Sequence, residues 1–398
     1  MPFKAITELP MPKGVSLRAL TFGDNARILV TGNSDNHIRV WDVGKSRYRQ
    51  TICDPEQSWG QVMTLVWADQ PQQVGLEASP MLCVGSGRGV IGMVPFSKGY
   101  EAITTGITNT SAFPLDHPVE SIAYNSADRR VVAVSHFGQI KGYRVLPSNT
   151  LEPLWQAPPC SHIPIGLAFW GPQNDKVVAT LLQSGEITCY SSATGMIDWR
   201  KRLSGAIGGS VLSQDSSKLL VNNLTTHNFD LYTFPELSKL RTFTVPKTST
   251  SHRIKMGIFS GASDELVLCG SLHDKIYLFD TMTGACLEQL VHGQDAYHKL
   301  VQMLATDCKH APLFASGSSG KMCIWKDTMV APTVRVDTAE TNGALKLLRL
   351  LINTRFLVIL LGLHVTHSTW HPYTAQMYHS YVYPVIAWHS RARITADA

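Results

Sequence analysis

The chain has 398 residues, 16% of them charged, and carries a formal net charge of +5. This length supports a large buried core, and the ordinary apolar fraction excludes a disordered protein. Residues 328–398 carry +3 of the net charge, which leaves only +2 on the first 327 residues. A nucleic-acid-binding domain usually carries a strong basic stripe, so we expect no nucleic-acid partner.

Eight cysteines are spread along the chain, and no two of them form a CxxC pair. This spacing argues against a zinc finger or a dithiol redox motif. Four cysteines lie within apolar runs and predict buried thiols in a reducing compartment: Cys83, Cys189, Cys269 and Cys323. The N-terminus lacks the long apolar segment of a secretory signal, so we expect an intracellular, cytosolic location.

The first repeated unit runs from Leu17 to Asp42. LRALTF, ILVTG and IRVWD predict three strands, and the polar stretches DNAR and NSDNH predict the turns between them. The third strand ends in the dipeptide Trp41–Asp42. Apolar residues dominate the unit, which is typical of blades that stack face to face and bury both sides of their strands.

The same pattern recurs along the chain. Each unit has an apolar run, a polar turn, and an apolar residue three places before an apolar or aromatic anchor. The seven anchors are Trp41, Val94, Tyr143, Tyr190, Tyr232, Phe279 and Trp325. They are 42 to 53 residues apart, which suits a four-stranded blade with its loops. The sequence therefore predicts an all-β, seven-bladed β-propeller.

The last unit lacks a fourth strand. It reaches its third strand at Lys321 to Trp325, whereas the N-terminal segment FKAITEL precedes blade one without a partner. Pairing this segment with the last blade would close the ring and remove two exposed strand edges. We therefore predict that the propeller occupies residues 1–327 and is closed by its N-terminal strand.

These units resemble the WD40-repeat family over about four-fifths of the chain. More narrowly, segments such as SWGQV (58–62), SHFGQIKGYRV (135–145) and HGQDAYHKLVQ (292–302) are similar to those of basidiomycete fungal WD-repeat proteins. This resemblance implies a single propeller without assigned catalysis. It also implies a C-terminal hydrophobic segment, which many members of that group carry.

The resemblance also implies residues that fasten the turns: a His before the first strand and an Asp six places before the anchor. Asp35 stands six places before Trp41. Four histidines stand 26 to 28 residues before their anchors: His117, His162, His252 and His298. Because they belong to four different blades, we interpret them, with Asp35, Trp41, Asp42 and Trp325, as structural residues. A metal site would need several ligands converging on one point.

No motif indicates catalysis. GSGRG (85–89) joins two strands and predicts a tight hairpin, whereas a phosphate-binding loop draws on a helix N-terminus. Neither G-x-S-x-G nor H-E-x-x-H is present. We therefore expect no catalytic residue, metal or cofactor. Trp67, Trp170 and Trp199 are candidate interaction aromatics, and packing between blades is the alternative interpretation.

After Asp327 the sequence changes character. Residues 328–344 form a polar linker, residues 345–366 an apolar segment predicted to be helical, and residues 367–398 a predicted poorly ordered tail. The stretch from Leu347 to Val365, with Phe356 and Leu360 in its second half, approaches the length of a membrane span.

Two arginines oppose that interpretation, since Arg349 and Arg355 would each cost about 2.5–3.5 kcal/mol at the centre of a membrane helix. Three interpretations therefore stand. The segment is a single-pass anchor, an amphipathic helix lying on a membrane or on the propeller, or an extra strand or disordered extension.

The leading functional hypothesis is a monomeric, non-catalytic scaffold that recruits a protein or peptide and is tethered to an intracellular membrane. The alternative is a membrane-bound regulator of a small GTPase, because an exchange factor can join a propeller to a C-terminal anchor. A propeller hydrolase or lyase is a third hypothesis, and it requires polar side chains that converge in the central channel.

Overall fold

The computed structural model describes residues 3–23, 26–68, 80–97, 99–246, 254–271, 275–292, 303–307, 313–318 and 321–327. Within them the chain forms 28 β-strands and one short 3₁₀ helix, Thr104–Gly106. The strands make seven antiparallel four-stranded sheets, so the predicted all-β fold is confirmed. The predicted linker, apolar segment and tail lie outside the described residues. Among the described residues, no helix has the length and apolar character needed to cross a membrane.

Six blades take their four strands in chain order. Blades one to three contain β2 (Leu17–Gly23), β3 (Ile28–Asn33), β4 (His37–Asp42) and β5 (Arg47–Cys53); β6 (Val62–Trp67), β7 (Met81–Ser86), β8 (Val90–Pro95) and β9 (Thr108–Ser111); and β10 (Val119–Asn125), β11 (Arg130–Ser135), β12 (Ile140–Val145) and β13 (Leu151–Ala157). Blades four to six contain β14 (Pro164–Trp170), β15 (Lys176–Leu181), β16 (Glu186–Ser191) and β17 (Ile197–Arg202); β18 (Ile207–Leu212), β19 (Lys218–Asn223), β20 (Asn228–Thr233) and β21 (Lys239–Phe243); and β22 (Gly257–Ser260), β23 (Leu266–Gly270), β24 (Lys275–Asp280) and β25 (Cys286–Val291).

Blade seven joins the two ends of the described chain. It contains β26 (Met303–Asp307), β27 (Leu313–Ser318), β28 (Lys321–Asp327) and, as its fourth strand, β1 (Phe3–Pro10). The register of β1 against β28 runs from Phe3 opposite Asp327 to Pro10 opposite Lys321, with one irregularity between Ala5 and Thr7. The predicted closure by the N-terminal strand is therefore confirmed.

The seven blades form a closed ring. The first strand of each blade contacts the first strands of both neighbouring blades, including the pair β2 and β26 that joins blade one to blade seven. The first strands therefore surround the centre, and the fourth strands lie at the outer rim. This is the predicted seven-bladed β-propeller.

The core lies between blades, on the second and third strands. All seven predicted anchors are at most 5% exposed. The residues three places before them are at most 1% exposed: Ile38, Ile91, Ile140, Ile187, Phe229, Ile276 and Met322. Because neighbouring blades cover both sides of these strands, their apolar runs are nearly continuous. Burial of each side chain of this size stabilises the folded state by about 1.5–3 kcal/mol.

The antiparallel strand order gives the ring two faces. One side of the ring carries the loops before the first strands and the hairpins between second and third strands, and we call this side the upper face. The lower face carries the turns between first and second strands and those between third and fourth strands. Successive strands run in opposite directions, so each loop of one kind returns to the same face.

Hydrogen bonds link each blade to the next at the outer rim. Five fourth strands donate a side-chain hydrogen bond to a carbonyl in the last turn of the next blade: Arg49 to Gly99 (2.7 Å), Thr108 to Asn149 (2.6 Å), Trp155 to Ser192 (2.8 Å), Lys201 to Pro235 (2.6 Å) and Arg241 to Thr283 (3.1 Å). At the sixth seam the Phe3 amide donates to Glu288 Oε2 (3.2 Å), and at the seventh the Thr7 and Ser46 hydroxyls bond to each other. Every seam therefore has a polar link outside its apolar core.

The link made by Trp155 depends on two glycines. A Cβ atom on Gly142 or on Gly195 would lie 2.3 Å from the indole ring, closer than real Cβ contacts allow. Gly142 is in the neighbouring strand β12 of the same blade, and Gly195 is in the last turn of blade four. The indole is thus held between two backbones, where its N–H reaches the carbonyl of Ser192.

A substitution of Leu9 tests how much the closing strand β1 contributes to the stability of the fold. Its side chain is 2% exposed and packs among residues of blades seven and one. We expect Leu9→Ala to lower the free energy of unfolding by about 2–5 kcal/mol, because it leaves a cavity at this seam. Ile6 of the same strand is 44% exposed. Ile6→Ala should therefore change the free energy of unfolding by no more than about 0.5 kcal/mol. Urea unfolding followed by tryptophan fluorescence measures the free energy of unfolding of both variants. Equal losses for Leu9→Ala and Ile6→Ala would contradict closure through Leu9.

Candidate functional site

The upper hairpins are fastened by buried polar residues at the ends of the second strands. The Ser86 hydroxyl accepts from the Val90 amide (3.0 Å), and the Ser135 hydroxyl from the Gln139 amide (3.2 Å). Ser271 does the same for Lys275 (3.2 Å). Sequence reasoning missed these residues, although the signal was present as a Ser directly after an apolar run (VGS, AVS, CGS).

Blades two, three and four share one form of hairpin tip. Each has a Gly with positive φ: Gly89 (+72°), Gly138 (+79°) and Gly185 (+71°). A Cβ atom there would lie 2.4–2.6 Å from a carbonyl oxygen of the next upper loop, on Pro114, Cys160 and Gly205 respectively. Only glycine fits such a position. The residue before each Gly therefore occupies the same place in its blade.

Those equivalent residues differ in chemistry. They are Arg88, Phe137 and Ser184, and they stand six places before their anchors, as Asp35 does in blade one. Ser184 is buried, whereas Arg88 is exposed and Phe137 is 55% exposed. Blades two and three therefore present a cation and an aromatic ring to solvent at matching positions.

Two histidines hold the ring of Phe137. Its centroid lies 4.2 Å from that of His117 and 5.4 Å from that of His136. Each imidazole has a partner of its own: His117 Nδ1 is 3.1 Å from Gln139 Oε1, and His136 Nδ1 is 2.6 Å from Glu120 Oε1. The exposed ring is therefore fixed in place before any partner arrives.

The loop before blade two positions Arg88. The Arg88 amide donates to the carbonyl of Trp59 (3.2 Å), and its Nη1 donates to the carbonyl of Gln57 (3.0 Å). The buried carboxylate of Asp54 organises this loop. It accepts from the Ser58 hydroxyl (2.6 Å), from the Trp59 amide (3.1 Å) and from Asn109 Nδ2 (3.0 Å). Burial alone would raise the pKa of Asp54, but these hydrogen bonds outweigh it and hold the pKa below its ordinary value.

The predicted residues of blade one contact their own hairpins. The Asp35 carboxylate pairs with the guanidinium of Arg39 through two hydrogen bonds (3.1 and 2.5 Å), and His37 Nδ1 lies 3.5 Å away. Asp42 accepts from the Lys45 amide (2.9 Å) in the following turn. Trp41 Nε1 lies 3.5 Å from Thr31 Oγ1. The turn-fastening role of these residues stays a prediction.

Two of the four predicted histidines, His117 and His162, are among the described residues, and they belong to different blades. His117 lies against Phe137, and the exposed His162 bonds to the neighbouring Ser161 (2.9 Å). His252 and His298 lie outside the described residues. Directly after β25, buried His292 Nε2 is 3.1 Å from the Ser316 carbonyl of blade seven, and Trp325 Nε1 donates to the Ser316 hydroxyl (2.8 Å). His292 stands earlier than the spacing rule selects, so sequence reasoning missed it.

The candidate tryptophans lie away from the upper hairpin tips. Trp67 ends β6 at the lower face and packs on Phe96 (5.1 Å between ring centroids). Trp170 and Trp199 both pack on Phe234 of blade five, at 5.3 and 6.0 Å. All three belong to apolar clusters between or within blades. Their role in partner binding stays a prediction.

One comparison with known proteins bears on the family. A family model described as WD domain, G-beta repeat matches residues 6–42. The match begins in β1, covers β2 to β4 and ends at Trp41–Asp42, in a ring of seven such blades. This match and the seven-bladed ring together support a WD40-repeat family. The matched repeat is offset from the blade by one strand, since it starts on the outer strand of blade seven.

WD40 propellers are generally non-catalytic scaffolds that bind protein partners. No curated protein matches this chain, so the resemblance to basidiomycete proteins stays a prediction. Among the residues that the structure describes, no group of three or more His, Cys, Asp or Glu side chains is placed to hold a metal ion. On the upper face, the described residues include an exposed guanidinium, an exposed aromatic ring and histidines.

Acid titration tests the network around Asp54. Because the pKa of Asp54 is lowered in the folded state, its stabilisation is present above the unfolded pKa and is lost as pH falls through the folded pKa. We expect Asp54→Asn to lower the free energy of unfolding by about 1–3 kcal/mol at pH 7. The difference from the wild type should shrink below about pH 4.

Urea unfolding of both proteins between neutral and acid pH measures this difference. Asp116→Asn is the matched control, since Asp116 is an exposed carboxylate on the same face. That substitution should have little effect at any pH. A difference for Asp54→Asn that does not change with pH would show that its charge has no part in holding the loop.

Proposed function

We propose that this WD40 propeller is a non-catalytic, monomeric scaffold that recruits a protein or peptide through its upper face. The proposal rests on the upper hairpins of blades two and three, in which the residues that hold the backbone differ from those that face the solvent. Buried serines and tightly packed glycines hold the backbone, and the exposed tip residues are left to contact a partner. A preorganised surface of this kind loses little entropy when it binds.

A binding comparison between the two faces tests this function. A partner is first captured from cell extract on the full chain and then purified and titrated against it. The double variant Leu115→Glu, His162→Glu alters exposed residues of the upper face, and Met196→Glu, Met282→Glu alters exposed residues of the lower face. We expect saturable binding that the first variant weakens by about tenfold or more and the second leaves unchanged. The absence of any saturable partner, or equal effects of both variants, would refute the proposal.

We also propose an intracellular location. Four cysteine thiols are buried in the blades: Cys83, Cys189, Cys269 and Cys323. Burial raises the pKa of Cys83 to about 12, which keeps its thiol protonated and unreactive. Thiols packed as apolar groups suit a compartment in which disulfides are not formed.

Tethering by residues 345–366 is the second part of the proposal, and it rests on the apolar stretch from Leu347 to Val365. Carbonate extraction of membranes tests it. The full chain should stay in the membrane pellet, and the chain lacking residues 345–366 should be released, because the apolar segment provides the attachment. Release of the full chain would disprove the tether.

The exchange-factor alternative shares the tether but predicts a different activity. It requires the full chain to accelerate nucleotide release from a small GTPase, whereas a scaffold leaves that rate unchanged. Measuring nucleotide release with the full chain separates the two functions.

A further inference from the structure

We propose that Arg88, Leu115 and Phe137 form one binding site on the upper face, and that its ligand is an extended peptide carrying a carboxylate beside an apolar side chain. The carboxylate would pair with Arg88, and the apolar side chain would rest on Phe137 and Leu115. This inference rests on the proposed scaffold function and names the partner of the upper face.

The three residues are joined by one stretch of backbone. The Phe113 amide donates to the carbonyl of Gly89 (2.9 Å), directly after Arg88, and the His136 amide donates to the carbonyl of Pro118 (2.8 Å), directly before Phe137. Residues 113–118 therefore run from one hairpin tip to the other. Leu115 lies midway along this strap and is 68% exposed. Leu115 therefore lies on the backbone segment that joins the hairpins of Arg88 and Phe137.

Arg88 supplies the positive charge of the site. Its guanidinium donates to the carbonyl of Gln57, and no carboxylate of the described residues lies within ion-pair distance of it. A guanidinium has five donors in a planar fork that matches a carboxylate in two-point geometry. An Asp or Glu side chain and a C-terminal carboxylate supply the same group, so either source fits.

Phe137 provides the apolar contact. Binding hot spots are typically aromatic or Arg side chains that are already rigid, because fixing them costs little further entropy. Phe137 meets this condition, since His117 and His136 pack on its ring and are themselves hydrogen-bonded. By contrast, the equivalent residue of blade one, six places before its anchor, is Asp35. Its carboxylate accepts a hydrogen bond from the guanidinium of Arg39.

The lower face offers apolar residues without this arrangement. Met196 and Met282 are 71% and 70% exposed, more than Phe137. However, they lie in turns of blades four and six, which are not neighbours in the ring. They therefore serve as exposed apolar controls that lie on the other face of the ring.

Peptide selection on the full chain tests the site. A phage library of random linear peptides is panned against the immobilised protein, and the selected peptides are synthesised with a fluorescent label for anisotropy titrations. We expect selected peptides to combine an acidic residue with a nearby aromatic or aliphatic one. Arg88→Ala and Phe137→Ala should each weaken binding by about tenfold or more, and Met196→Ala and Met282→Ala should leave it unchanged.

Charge reversal provides a second readout. Arg88→Glu should reject the acidic peptides and select basic ones instead, which a loss of folding could not produce. Each peptide is tested with an amidated and with a free C-terminus, so that side-chain and C-terminal carboxylates are distinguished. All variants should keep a cooperative thermal unfolding transition, with at most a small shift for those at Arg88 and Phe137, which lose the hydrogen bond to Gln57 or the contacts with the two histidines.

The outcomes separate this inference from the scaffold function. Peptides that bind but are insensitive to Arg88→Ala and Phe137→Ala would overturn the site and leave the scaffold in place. A library that yields no peptide would also overturn the site, while the titration of a captured protein partner decides the scaffold function independently.

Discussion

The pairing of β1 with β28 is the constraint on which the rest of the ring depends. Each blade buries its two sides only when both neighbours are present, so a gap at one seam would expose the core of two blades. The N-terminal strand fills that gap by completing blade seven, while Leu9 packs towards blade one. Because the closing strand precedes blade one in the sequence, blade seven is completed only when β28 pairs with β1.

Both apolar and polar groups hold neighbouring blades together in the closed ring. The second and third strands supply the apolar area between blades, and the rim supplies one polar link per seam, such as that from Trp155 to Ser192. The hairpins of the upper face are fastened by buried hydroxyls, as in Ser86 and Ser135. Such short local bonds hold the backbone without using the tip side chains, which remain available to a partner.

Blade one shows what happens when the tip residue does take part in the fastening. There the charge of Asp35 is neutralised by Arg39 within the same hairpin. In blades two and three the glycine after the tip is packed beneath the next loop instead, so the backbone is fixed whatever precedes it. Arg88 and Phe137 can therefore vary in chemistry at a constant geometry, which is the property that a recognition surface requires.

The sequence by itself determined the blade count, the anchors and the closing strand, because strands buried on both sides read as apolar runs at a regular spacing. It also identified an unpaired strand at each end of the ring. Only the tertiary structure decided which polar residues meet. His292 reaches Ser316, and Asn109 reaches Asp54, through contacts between distant segments that leave no local periodicity. The same holds for Arg88 and Phe137, since each looks like an ordinary turn residue until the ring places their two hairpins side by side.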